Sequence, residues 1–294
     1  MKKLIRTVTA SWLIKVFIVS SLIAQFGSTS FACGLCSGKQ ENLKPQYYME
    51  LEKIHEHAVK NTREANVWTV YTAIFRTLDF TFQSPGSGGQ THVNISFSDS
   101  EMAMIRQALE SYKELVFSYS GGMMKINMKI EIIEEPLKSM SPVKDKYWLS
   151  PEDAKNMITG HYAPGHTDNI LAYVKTNDGQ GQEVPTFLWG GALGGDYGLD
   201  GAGWISIQDG GGIPTNGELE LHEWLHVVDW ALYHRTNFPD ELVCSPDDGR
   251  YEGQDGGDPC YRRKPSEPNW LGFYYHIMSG HITPEMWRVA RCRP

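Results

Sequence analysis

Hydrophobic positions along the chain switch between a helical and an alternating period. Met102, Ile105, Leu109, Tyr112, Leu115 and Val116 fall on one helical face, which predicts a helix over 99–119. Ser98 and Glu101 form an S-x-x-E capping box at its start. After Gly121-Gly122, residues Ile126, Met128, Ile130 and Ile132 alternate with polar positions, the period of a half-buried strand. The segment Trp68 to Phe82 is rich in β-branched and aromatic residues and reads as one strand or two, ended by a Ser/Pro/Gly stretch from Ser84. Ile170–Val174 and Trp204–Gln208 are further short strands, the second followed by a turn at Gly210–Pro214. Residues 43–65 are charged and helical in spacing, through Leu51, Ile54 and Ala58. Between Trp189 and Gly203 seven of fifteen residues are glycine; no G-K-[ST] closes the run, so it reads as a surface loop flanking a cleft, not a phosphate cradle. Strands and helices mix without a βαβ rhythm, and the expected class is α+β.

The N-terminus changes this picture of a globular chain. Lys2, Lys3 and Arg6 precede an apolar run from Trp12 to Phe26, and Ser30-Phe31-Ala32 supplies small residues at a cleavage position. That order predicts a secretory signal peptide over 1–32, too short in its apolar part for a stable membrane span. A lipidated Cys33 ranks below simple secretion, because Ser-Phe-Ala precedes it without the usual Leu. The expected organisation is then a charged helical segment over 33–66 and a main domain over 67–294. Without the first 32 residues the chain carries 23 Lys+Arg against 35 Asp+Glu, a balance that argues against a nucleic-acid partner. Export permits disulfides among Cys33, Cys36, Cys244, Cys260 and Cys292. Cys244 with Cys260 is the expected pair, and Cys292 could tie to Cys36 or Cys33.

The chemistry concentrates in one pentapeptide. His222-Glu223-Trp224-Leu225-His226 is H-E-x-x-H, preceded by Thr215-x-x-Glu218 as a capping box, so a helix is expected near 216–234. Leu219, Leu225, Val228 and Leu232 can face a core, while His222, His226 and Asp229 share another face. Two imidazoles one turn apart suit Zn2+, and Glu223 is placed to take a proton from a water at the metal.

On these residues the chain resembles the zincin metallopeptidases, through the H-E-W-L-H helix, the strand Trp204–Gln208 before it, and the upstream helix and strand. The resemblance implies a zincin-like mixed sheet with a smaller C-terminal helical and loop subdomain. It implies His222 and His226 as zinc ligands and Glu223 as general base. It also implies that the strand before the zinc helix is an edge that pairs with an extended peptide. The metzincin spacing fails, since Asp229 and Leu232 occupy its Gly and last His positions. Asp229 resembles an acid that orients a ligand imidazole. His276 is taken as the third ligand, with Asp247 or Asp248 as carboxylate alternatives and His234 and Glu252 behind them. Tyr274 or Tyr251 could donate to an oxyanion. Met278 loosely resembles a methionine turn but is expected as core. The expected function is a secreted zinc endopeptidase acting on a peptide or protein, or on another amide such as a peptidoglycan stem peptide. The alternative is a secreted glycan- or protein-binding protein with a vestigial H-E-x-x-H.

Overall fold

The computed structural model describes residues 53–59, 65–84, 88–186, 190–209, 215–236, 274–275, 278–279 and 282–290. Its centre is a five-stranded sheet in the order β4-β1-β7-β9-β8. Strand β1 (Asn66–Phe75) pairs in parallel with β4 (Met124–Ile133) on one side and with β7 (Asn169–Lys175) on the other. Strand β9 (Gly203–Asp209) continues the parallel set beside β7, and β8 (Gly190–Leu193) closes it as an antiparallel edge strand. The class is mixed α and β with a mixed sheet, compatible with α+β.

Both faces of the sheet are covered, which is why its central strands are apolar on both sides. One face packs on helix α1 (Asp99–Tyr119), helix α3 (Glu218–Thr236) and the short helix α4 (Pro284–Val289), with Trp68, Val70, Ile74, Leu171 and Tyr173 pointing that way. The other face, through Tyr71, Ala73, Phe75, Ile170 and Trp204, packs on two hairpins and a helix. These are β2 (Thr77–Gln83) with β3 (Gln90–Ser96), β5 (Ser141–Val143) with β6 (Lys146–Trp148), and α2 (Pro151–Ile158).

Several sequence expectations are met. The Ser98 side chain accepts from the Glu101 amide at 3.3 Å and the Glu101 carboxylate accepts from the Ser98 amide at 2.7 Å, so the capping box forms. The run from Trp68 to Phe82 is two strands, broken at Arg76. Helical residues 53–59 fall inside the predicted 43–65 segment, whereas Asn66 already belongs to the sheet.

Two expectations are corrected. The strand Trp204–Gln208 is not an edge; it lies inside the sheet between β7 and β8, buried along its length. Among the described residues the edge on this side is β8, drawn from the glycine-rich run that reads as a surface loop. Glycine there serves close packing. A Cβ at Gly203 would stand 2.4 Å from the Val227 Cγ1, and one at Gly194 would lie 2.0 Å from the Trp230 ring. Helix α3 therefore rides directly on this stretch of backbone. In the C-terminal part, Tyr274, Met278, Ile282, Met286 and Trp287 share the core of α1 and α3, and the rest of the expected C-terminal helical and loop subdomain lies outside the described residues.

Candidate metal centre on helix α3

Helix α3 begins differently from the predicted capping box. The Glu218 amide donates to the Asn216 side chain at 3.2 Å, while the Thr215 carbonyl accepts from Ser111 Oγ of α1 at 2.9 Å. Gly217 adopts a positive φ of +73°, and a Cβ there would meet the Tyr112 amide nitrogen at 2.3 Å. The turn is thus moulded to α1, which fixes where the helix starts.

The middle of the helix is anchored by Trp224, fully buried between Trp287 (stacked, centroids 6.0 Å apart) and the edge of Trp68 (5.5 Å). Leu221, Leu225, Val228 and Leu232 join the same core, as their spacing predicts, with Leu219 packed against it. That anchoring sets the rotation of the helix and leaves His222, His226 and Asp229 half-buried on the remaining face.

His222 and His226 sit with ring centroids 5.1 Å apart, and Glu223 is 5 % exposed beside them. One potential ligand atom from each of the three lies within 4.8 Å of the others. Among the described residues this is a cluster whose donors suit zinc: two imidazoles and a carboxylate, converging without a neighbouring Lys or Arg in the motif. The Tyr274 hydroxyl lies 2.7 Å from His222 Nδ1 and Tyr274 is 2 % exposed. With the Nδ1 proton directed to that hydroxyl, Nε2 keeps its lone pair for a metal. The Tyr274 hydroxyl, one of the two expected oxyanion donors, thus lies against the His222 ring. Met278 is core, fully buried beside α3.

Behind the motif, on the opposite face of the helix, Glu220 is 1 % exposed and accepts from the Tyr173 hydroxyl at 2.6 Å. Burial pushes its carboxyl up to about 7, against the lowering effect of the Tyr173 hydrogen bond. Tyr112 and Tyr173, also fully buried, are both raised well above the ordinary phenol value, first by burial and then by Glu220. Nothing in the sequence distinguishes this inward Glu220 from the outward Glu218.

Asp247, Asp248, Tyr251, Glu252 and His276 lie outside the described residues, as do the side chain of His234, the five cysteines and the whole of 1–52. The described part of the site therefore holds His222, Glu223 and His226, and adds Tyr274 and also Gly190 of β8, whose backbone lies against the Glu223 carboxylate. Tyr274 stands in an aromatic stretch the sequence flags, but its partner is set only by packing.

No protein-family model matches the chain, and no curated protein or solved structure is significantly similar to it. Among the described residues no helix is long and apolar enough to cross a membrane.

Proposed function

We propose that the chain is an exported zinc-dependent endopeptidase of the zincin type. The observation that carries this reading is the convergence of His222, Glu223 and His226 within 4.8 Å on one turn of a core-anchored helix. Its support is threefold: the orienting Tyr274 contact, a mixed sheet that runs parallel up to an antiparallel edge strand, and the lie of that edge against the motif.

In this reading His222 and His226 hold the ion through their imidazole nitrogens, with a third ligand from outside the described residues. Zinc in such a site supplies Lewis acidity, polarising a carbonyl and acidifying a water. Glu223 removes a proton from the attacking water at its carboxylate and delivers it to the amine nitrogen as the peptide bond breaks. Burial of Glu223 keeps that carboxylate in one place, so little reorganisation accompanies the transfer. Strand β8 offers its outer edge, where no strand pairs among the described residues, to an extended peptide.

The test is Glu223→Gln, assayed on a denatured protein or peptide library beside the unaltered chain. Stoichiometric zinc in both proteins with hydrolysis only in the unaltered one is the expected result. Undiminished hydrolysis by the variant defeats the general-base assignment. A chain purified without chelators that carries no zinc favours the binding-protein alternative.

A further inference from the structure

Three side chains on one face of α3, at Glu223, Val227 and Trp230, each meet a glycine of the β8–β9 stretch. None of the three glycines, Gly190, Gly203 and Gly194, has a positive φ, so each is glycine for space and not for backbone freedom. The contacts differ in what can give way. Val227 is β-branched and stiff in a helix, and the Trp230 ring fills its site, so a Cβ opposite either pushes the helix itself. Opposite Gly190 the nearest atoms all belong to the end of Glu223: an ideal Cβ would stand 2.4 Å from Oε1, 2.9 Å from Cδ and 3.1 Å from Cγ. That side chain is unbranched and can swing.

We propose that Gly190 is a positioning residue for the Glu223 carboxylate: the bare backbone of the edge strand is the wall against which the acid rests. The catalytic consequence rests on the hydrolase reading above; the contact itself does not. A methyl group at position 190 displaces the carboxylate away from β8, while the helix, held by Trp224 and by the Gly203 and Gly194 contacts, stays in place. Because Oε1, Cδ and Cγ are all touched, rotation about the last torsion alone does not relieve the clash, and the whole carboxylate end must move. Proton transfer is sensitive to such a shift, since a displacement of about 1 Å can cost roughly 100-fold in rate. Ligation by His222 and His226 is untouched. The Gly-to-Ala change therefore separates into two classes: at 203 and 194 it damages the fold, at 190 it damages the chemistry.

The experiment compares Gly190→Ala, Gly203→Ala and Glu223→Ala in the full chain. Three readouts are taken: thermal unfolding, the pH dependence of the Co2+ absorption spectrum, and kcat and KM on a cleaved peptide. Gly190→Ala is expected to bind Co2+ and to unfold near the unaltered chain, with a pH midpoint of the Co2+ spectrum displaced in the direction that Glu223→Ala displaces it. Its kcat falls by about 100-fold with KM little changed. Gly203→Ala is expected to lose melting temperature. A Gly190→Ala protein whose Co2+ spectrum and kcat match the unaltered chain overturns the positioning role and leaves the hydrolase reading standing. A chain that binds Co2+ but cleaves nothing overturns the hydrolase reading, and the spectral comparison still decides the Gly190 contact. A chain that binds no Co2+ overturns the hydrolase reading and with it the catalytic role of Gly190.

Discussion

The Nδ1 of His222 lies 2.7 Å from the hydroxyl of Tyr274, a residue 52 positions further along the chain. This contact joins the C-terminal stretch to the first histidine of the motif, and Tyr274 is itself buried in the core shared by α1 and α3. The ring orientation of His222 is thus tied to the packing of a distant segment.

Removing only the hydroxyl tests that tie. Tyr274→Phe keeps the buried ring and is expected to weaken zinc binding by about 10- to 100-fold, the usual effect of losing the outer partner of a ligand imidazole. Competition against a chromogenic chelator reads the affinity. An unchanged dissociation constant would assign Tyr274 to packing alone.

Metal binding should also appear as stability. At a free zinc concentration about 1,000 times its Kd, a site present only in the folded chain adds about 4 kcal/mol. The unaltered protein is therefore expected to melt higher with zinc and to lose that gain on chelation. His226→Ala, which removes one donor, should melt at the same temperature in both conditions. A zinc-dependent rise that persists in His226→Ala would place the ion elsewhere.

A third outcome concerns acid. Partial burial alone would raise the Glu101 carboxyl, but the Lys175 ammonium and the Ser98 cap outweigh it and hold the group below its ordinary 4.5. Lys175 Nζ donates to Glu101 Oε1 at 2.6 Å, linking the start of α1 to the end of β7. A carboxyl depressed in the folded state binds protons less readily there than in the unfolded chain. Its contribution is therefore complete above the unfolded value and is lost as pH falls through the folded one. Glu101→Gln keeps the capping geometry and loses the charge, so it should cost about 1 kcal/mol at neutral pH. The gap to the unaltered protein should close in acid, where Glu101 is neutral too. Urea unfolding of both proteins across that range decides it; a gap independent of pH would count against the ion pair.

Much of the helix on which the site is built was legible from residue spacing. Leu225, Val228 and Leu232 fall on the core face that their period predicts, and His222 with His226 on the other, because a helix converts sequence separation into direction. The edge strand was not legible. Gly190 and Gly191 carry no hydrophobic signal, so a strand made of them looks like a loop, and the deeper, more apolar 203–209 strand looks like the better edge. Glycine is required there by a neighbour, Glu223, that lies 33 positions away in the chain.

The sequence by itself determined the local facts: the periods of helix and strand, the Ser98 cap, and two imidazoles and a carboxylate on one helical turn. These depend on residues a few positions apart, whose relative placement the backbone geometry dictates. Tertiary structure decided which strand is the edge, that Tyr274 meets His222, that Glu220 turns inward to Tyr173, and that Gly190 walls the Glu223 carboxylate. Each of those joins distant segments through close packing, where steric fit between particular side chains sets the outcome and no periodicity encodes it.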